Sequence, residues 1–329
     1  MNNTALEVSN LKTYFYTRKG VVKAVDGVSF EIRRGEIFGL VGESGCGKSV
    51  TALSIIKLIP KPPGEIVGGN IVFDGETISD KNEAEMTKVR GRKISMIFQD
   101  PLTSLDPIMK IGTQIEETIK LHSAINKEKA KQRVLQVLKD VGIPDPALRV
   151  EQFPFQLSGG MRQRVMIAIA LAANPELLLA DEPTTNLDVT IQAQILELLR
   201  NIRNNKGVSI LLITHNLGIV AWMCNRVAVM YAGKIVEYGK TKEVFKNPMH
   251  PYTTLLLKSI PRLDHGRSRL DSIEGDVPDL LNVPIGCRFH TRCPNAKQIC
   301  INNEPALTEL ESEHHVSCLM YNKEIWDKR

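Results

Sequence analysis

The octapeptide Gly42-Glu43-Ser44-Gly45-Cys46-Gly47-Lys48-Ser49 constrains this 329-residue chain more than any other stretch. It fits G-x-x-x-x-G-K-S/T, follows the apolar run Ile37-Phe38-Gly39-Leu40-Val41 and precedes a helix-like stretch from Val50 to Ile59. The order reads as strand, phosphate-binding loop, helix. Successive glycines let backbone N–H groups turn inward around phosphate oxygens, and the helix N-terminus adds its own N–H groups and positive dipole end. In that reading Gly42, Ser44, Gly45, Cys46 and Gly47 cradle a polyphosphate. Lys48 meets its β- and γ-phosphates, and the Ser49 hydroxyl ligates the bridging Mg²⁺. With glycine at ~7% of average usage, the four fixed positions match by accident in only about one chain in a hundred of this length. Cys46, beside Lys48 and a helix N-terminus, is expected to be a reactive thiolate that bound nucleotide shields.

Length leaves room for about two domains. The net charge of +5 comes from 42 basic residues interleaved with 37 acidic ones, which argues against dedicated nucleic-acid binding. Met1 to Asn10 has neither a basic start nor an apolar core, and the longest apolar run, Val165 to Ala173, is too short to span a bilayer. A soluble cytoplasmic protein is expected. Strands alternating with helices imply a mostly parallel α/β sheet. It is preceded by short strands over residues 6 to 41 and interrupted by a helical stretch from Pro107 to about Ala173. A helix with the apolar stripe Ile191, Ile195, Leu198, Leu199 and Ile202 links two buried runs, Leu177 to Ala180 and Ile210 to Thr214. Val227 to Val236, broken at Ala232-Gly233, reads as a hairpin. Near Pro248 the composition turns Pro-rich.

Leu177-Leu178-Leu179-Ala180-Asp181-Glu182 puts two acids at the C-terminal end of a buried strand, where open α/β sheets present ligands. Asp181 is placed to hold the Mg²⁺ shell and Glu182 to orient or deprotonate the attacking water. Gln99 follows the strand-like run Ile94 to Phe98; its carbonyl suits Mg²⁺ and its amide the γ-phosphate. His215 ends another strand and can reach a γ-phosphate or a water, although a lone histidine there is more often structural. Ser158-Gly159-Gly160 opens an apolar helix. Ser158 is a natural N-cap, and the paired glycines clear room for an anion at a second helix N-terminus.

The ordered set GESGCGKS, FQDP, LSGGM, LLLADEPT, NLD and THN resembles the ATP-binding subunit of ABC transporters over about residues 6 to 245. The resemblance implies an ABC-type P-loop fold: a mixed α/β sheet core, an N-terminal antiparallel β part and a helical subdomain at about 107–173. It implies ATP and Mg²⁺ as cofactors, bound between two domains meeting head to tail, so that one chain makes half of each site. By position, Gly42 to Ser49 is the Walker A loop, Gln99 the Q-loop, Leu157 to Met161 the signature, Asp181 the end of Walker B and Glu182 the catalytic glutamate. Asn186-Leu187-Asp188 is the D-loop, His215 the switch histidine, and Phe15, flanked by Tyr14 and Tyr16, the aromatic that stacks on adenine. Asn186 and Met161 depart from the residues most often seen at their positions.

The tail narrows the resemblance. Met249-His250-Pro251-Tyr252-Thr253, Ser259-Ile260-Pro261 and Gly286-Cys287-Arg288-Phe289 leading to Arg292-Cys293-Pro294 look like the extension of dipeptide and oligopeptide importer ATPases. Residues 1–255 are expected to form the nucleotide-binding domain and 256–329 the extension. The tail looks too small to fold on burial alone, so a metal staple is expected. Cys287, Cys293, Cys300 and Cys318, spaced C-x5-C-x6-C-x17-C, lack the C-x2-C pairs of structural zinc and suit an iron–sulfur cluster, which the resemblance specifies as 4Fe–4S. Zinc, with His290, His314 or His315 as substitute ligands, and metal-free thiols remain alternatives. With the Walker residues taken as a separate core, a Cys→Ser change is expected to loosen the tail more than it harms ATP binding.

The function implied is ATP hydrolysis powering import of dipeptides or oligopeptides. Nickel import by the same family, or a non-transport ABC ATPase, is the alternative. Implied partners are a second, related ATPase subunit, two transmembrane permeases and, indirectly, an extracytoplasmic peptide-binding protein, at the cytoplasmic face of the membrane and without nucleic acid. DNA-repair and chromosome ATPases insert long heptad coiled coils, and nothing here sustains three heptads. Soluble translation factors carry two such domains per chain, and an electron-transfer protein needs no ATPase motifs.

Overall fold

A computed structural model describes residues 3–123, 125–185, 187–259 and 273–326. The chain divides into two compact units, one formed by Met1–Ala5, Arg33–Glu36 and Asp80–Ile213, the other by Leu6–Ile32, Ile37–Ser79 and Thr214–Arg329.

The first unit is built on three parallel strands, with Leu177–Asp181 between Ile94–Ile97 and Ser209–Thr214. Every residue of the three is buried, which is why they read as unbroken apolar runs instead of alternating ones. The crossover from Asp181 to Ser209 is the helix Val189–Lys206. The Asp188 side chain caps it by accepting from the Ile191 N–H at 2.9 Å, and Gly207 ends it at φ 69°. Its buried stripe is Ile195, Leu196, Leu199 and Ile202, so Leu196 takes the inward position expected of Leu198. Between the first two strands lie the helices Ile111–His122, Lys127–Asp140 and Gly159–Leu171. Arg133 reaches from the second of these to the carbonyls of Leu171 and Ala172, supplying donors where the third helix runs out of its own.

The second unit holds a four-stranded sheet in the order Gly20–Arg33, Thr4–Thr17, Gly64–Phe73, Glu76–Thr77. It also holds a run of strands starting with Ile37–Val41, which pairs in parallel with Arg226–Tyr231. The chain turns at Ala232-Gly233, and Lys234–Lys240 returns antiparallel. The C-terminal segment then continues the sheet: His314–Val316 pairs with Lys234–Lys240, and Thr308–Glu311, exposed along its whole length, pairs with His314–Val316. The tail is therefore joined to the sheet by main-chain pairing at its last two strands. No helix among the described residues is long and apolar enough to cross a membrane.

A buried carboxylate fixes this junction. Glu237, on Lys234–Lys240, accepts from the backbone N–H groups of Met249 (2.8 Å) and His250 (2.9 Å) and lies 2.8 Å from His314 Nε2. His250 Nδ1 in turn accepts from the Tyr252 N–H at 3.0 Å, starting the helix Pro251–Lys258. Burial holds the His250 pKa down to about 4, opposed by the nearby Glu237 carboxylate. Because the folded His250 binds its proton only near pH 4 while the unfolded one does so near 6.5, stability is full above 6.5 and falls as the pH drops toward 4. Urea unfolding should show a loss of about 2 kcal/mol between pH 7 and pH 5 from this group. His250→Asn, whose carbonyl can still accept from Tyr252, should flatten that dependence; an equally steep profile in the variant would remove His250 as its source.

Candidate functional site

The strand Ile37–Val41 delivers the chain into the loop 42–49 and then the helix Lys48–Ile55. The loop runs so close to its neighbours that side chains are excluded at two points. A Cβ on Gly42 (φ 153°) would lie 2.1 Å from the Met230 carbonyl oxygen, and one on Gly47 (φ 104°) 2.2 Å from that of Ala24. At Gly45 (φ 76°) a Cβ would meet no atom within 4 Å, so there the backbone angle alone calls for glycine. Ser44 and Gly45 are exposed at the tip. Gly47 stands at the helix N-cap with no side chain closing the first turn, leaving the peptide dipoles directed at the loop's concave side. The Lys48 ammonium is buried and donates to the carbonyls of Gly42 (2.8 Å) and Glu43 (2.9 Å). A triphosphate suits this arrangement: the loop offers backbone donors and a charge held at their focus. Ser49 follows Lys48 in the helix's first turn.

Cys46 differs from expectation. Its side chain is fully buried, and burial pushes the thiol up against the opposing pull of Lys48. Desolvation outweighs the positive potential even though the Lys48 Nζ lies 3.8 Å from the sulfur, which is packed against Gly42.

The two acids emerge at the end of Leu177–Asp181 in the first unit. Asp181 is buried. Glu182 sits in the left-handed region at φ 44° with its N–H bonded to the Ile213 carbonyl at 2.9 Å. Its Oε2 accepts from Gln99 Nε2 at 3.1 Å and from the Thr185 hydroxyl at 2.8 Å. Gln99 and Glu182, 83 residues apart, are thus brought together. The amide expected to sense phosphate is engaged with the glutamate. Thr185 was not foreseen, although its i+3 spacing after Glu182 is the signal that could have found it.

The signature stretch behaves as a capped helix start: Ser158 accepts from the Met161 N–H at 3.4 Å. A Cβ on Gly160 would lie 2.8 Å from Ile191 Cγ2, so this glycine allows the helices Gly159–Leu171 and Val189–Lys206 to approach. The Cβ of Gly159 would reach only Leu187, at 3.8 Å. Of the D-loop, Asn186 lies outside the described residues, as do residues 260–272. His215, in the second unit, is exposed just past its strand, next to Asn216, which caps the helix Leu217–Met223. Phe15 pairs with Gly64 across the four-stranded sheet and is half-buried; a Cβ on Gly64 would lie 2.9 Å from its ring. Tyr14 is committed elsewhere, donating to Asp26 at 2.7 Å, while Tyr16 is exposed.

In the tail, the Cys287 N–H bonds to the Cys300 carbonyl at 2.8 Å, and a Cβ on Gly286 would lie 2.3 Å from that same oxygen. The thiols of Cys287 and Cys318 are raised to about 11 and about 12, mainly by burial, with further contributions from the other cysteines of the set; Cys293 is raised as well. Among the described residues no three His, Cys, Asp or Glu side chains converge tightly enough to hold a metal ion. The histidines considered as zinc ligands have other neighbours. His290 Nδ1 lies 2.8 Å from the Cys287 carbonyl oxygen, His314 faces Glu237, and His315 packs against Tyr238.

The loop and the tail lie in one compact unit, and Arg292 of the tail pairs with Glu43 of the loop at 2.8 Å.

A buried strand, a glycine-confined loop and a lysine-bearing helix start define a P-loop nucleotide-binding protein. The chain matches the ABC transporter family over residues 25–185 and the oligopeptide/dipeptide transporter C-terminal region over residues 236–300. It is 53% identical to the oligopeptide transport ATP-binding protein OppD of Bacillus subtilis, covering 94% of this chain and 87% of that one. It is 49% identical to the dipeptide transport ATP-binding protein DppD of the same organism, covering 97% and 95%. Among solved structures, the ATP-binding cassette MJ0796, as a dimer in a post-hydrolysis state bound to ADP and Pi, is 28% identical with a TM-score of 0.64, covering 72% of this chain and 98% of that one. The chain belongs to the ABC transporter ATP-binding proteins, and within them to those with the oligopeptide/dipeptide transporter C-terminal region. It is an ATPase of that family.

Site-resolved alkylation by iodoacetamide checks the Cys46 assignment. Native protein should label slowly at Cys46 with or without MgATP, and denatured protein at the rate of an ordinary thiol. Fast labelling of the native chain would return Cys46 to the reactive class.

Proposed function

We propose that this chain hydrolyses MgATP to power import of dipeptides or oligopeptides through two membrane permeases. A second, related ATPase subunit completes its sites at the cytoplasmic face, and an extracytoplasmic binding protein delivers the peptide. The observation that carries the peptide reading is the match of residues 236–300, on the same chain as the Walker loop, to the C-terminal region of peptide transporters. Relatives named for dipeptide and oligopeptide transport align with nearly the whole length. Mg²⁺ neutralises charge on the β- and γ-phosphates when bound. Ser49, Asp181 and the Gln99 carbonyl are assigned to its shell, the loop from Gly42 to Lys48 to the phosphates, Phe15 to adenine, and Ser158, Gly159 and Gly160 to the nucleotide of the partner ATPase. Glu182 orients and deprotonates the water, and Thr185 and Gln99 position its carboxylate by donating to Oε2. His215 is assigned to the γ-phosphate side.

Glu182→Gln keeps the charge-independent contacts and removes the base, so nucleotide binding should persist while turnover falls ~10²- to 10⁴-fold. ATPase and binding measured on one preparation, assembled with partner subunit and permeases, decide it; turnover near wild type would strip Glu182 of the role.

The four tail cysteines are assigned to a 4Fe–4S cluster. The mutual influence of their thiols and the tight backbone approach at Gly286, Cys287 and Cys300 support this. A cluster spreads its ligands over four irons, whereas thiolates about 2.3 Å from a single zinc must crowd together. Protein purified without oxygen should be brown, with about four irons and four sulfides per chain. Colourless protein with stoichiometric zinc would sink the assignment.

A further inference from the structure

The seven residues Cys287-Arg288-Phe289-His290-Thr291-Arg292-Cys293 touch the surroundings of the phosphate loop at three points, all within one unit. Arg292 lays its guanidinium against Glu43 with Nη1 at 2.8 Å from Oε2 and Nη2 at 3.1 Å from Oε1, a two-pronged pair. Its side chain is only 4% exposed, and the remaining donors are used: Nε on the Glu274 carbonyl at 3.0 Å and Nη2 also on that of Ile273 at 3.3 Å. Phe289 is fully buried in a ring cluster with Tyr231 (5.1 Å between centroids), Tyr252 (5.4 Å) and His250 (5.8 Å). The hydroxyl of that same Tyr252 receives the Glu43 N–H. Arg288 donates to the Ala232 carbonyl and pairs with Asp26. The next residue, Gly233, donates its N–H to the Cys46 carbonyl at 2.9 Å, and the Asp26 N–H returns to the Gly233 carbonyl at 2.9 Å.

We propose that this segment is a clamp on the phosphate loop, with Arg292 and Tyr252 as positioning residues that hold Glu43, so that nucleotide binding and the order of the cysteine segment are coupled. The proposal rests on the nucleotide reading of residues 42–49. A phosphate loop works by presenting several N–H groups at one focus, and any freedom at Glu43 must be removed when the anion binds. The clamp removes it beforehand: Glu43 is held by its side chain from Arg292 and by its main chain from Tyr252. Coupling is reciprocal by linkage, so nucleotide must stabilise the segment by as much as the segment strengthens nucleotide binding. Whatever occupies or modifies Cys287 and Cys293, which bracket the clamp, then acts on ATP affinity from outside the phosphate site.

A double-mutant cycle on the full-length chain with Mg·AMP-PNP as probe tests this. Arg292→Met and Glu43→Gln should each weaken binding about tenfold, and the double variant should be no weaker than the worse single one. Arg292→Lys, which restores the cation without the fork, should recover part of the loss. Hydrogen exchange supplies a readout that general destabilisation would not give. In the wild type Mg·AMP-PNP should slow exchange of the amides from 287 to 293, and in Glu43→Gln, whose substitution lies outside the segment, that protection should disappear. Additive losses in the cycle, or wild-type protein that binds Mg·AMP-PNP without protecting 287 to 293, would overturn the clamp while leaving the nucleotide reading intact. A wild-type chain whose Mg·AMP-PNP affinity is unchanged by Lys48→Ala would instead overturn the nucleotide reading, and the clamp with it.

Discussion

The phosphate loop exists in its present shape because two backbone segments pass within hydrogen-bonding range of it and leave no room for a Cβ at Gly42 or Gly47. At Gly42 that crowding follows from the parallel pairing of Ile37–Val41 with Arg226–Tyr231, which sets Val41 opposite Val229 and so brings the next residues, Gly42 and Met230, together; at Gly47 it comes from Ala24 on Gly20–Arg33. The hairpin turn that ends the second strand then lies beside the loop, and Gly233 bonds to Cys46 across it.

Elements that announce themselves by local pattern were legible. The parallel strands show as apolar runs, the crossover helix as a 3.6-residue stripe, and the glycine-rich loop as a motif whose glycines the geometry explains one by one. Leu196 and Leu198 stand two residues apart on either flank of the Ile195–Leu199–Ile202 stripe, and which flank is buried depends on what packs against it. Gln99 and Glu182 were each legible as residues that follow a strand, but their hydrogen bond was not, because register between strands is a tertiary fact. Cys46 misled because sequence shows which charges are near in the chain and not which way a side chain turns. Burial, opposed by Lys48, raises its pKa. The tail was the least legible part. Its motifs around Tyr252, Arg288 and Arg292 were visible, yet their partners Glu43 and Asp26 lie some two hundred residues earlier, and no periodicity links them.

Pairing buried arginines with acids is a costly way to hold two segments together, since both ions surrender water and the attraction returns only part of that. Such pairs fix geometry better than they add stability. Arg292 and Arg288 fit that description: Arg288 joins the Asp26 carboxylate to the Ala232 carbonyl, and Arg292 joins the Glu43 carboxylate to the carbonyls of Ile273 and Glu274. The aromatic packing of Phe289 against Tyr231 and Tyr252 contributes the apolar burial that the ion pairs lack.

The outermost strand, Thr308–Glu311, is short, exposed throughout and carries Glu309 and Glu311, with Glu313 just beyond in the turn. A sheet edge of this kind repels a second copy, whereas Lys234–Lys240, which the tail pairs at Glu237 and Tyr238, would expose unpaired main-chain donors and acceptors if the tail were removed. The acidic hairpin is thus a cover for a sticky margin. A chain shortened after Lys258 would lose solubility by edge-to-edge self-association, whatever the state of its ATP site.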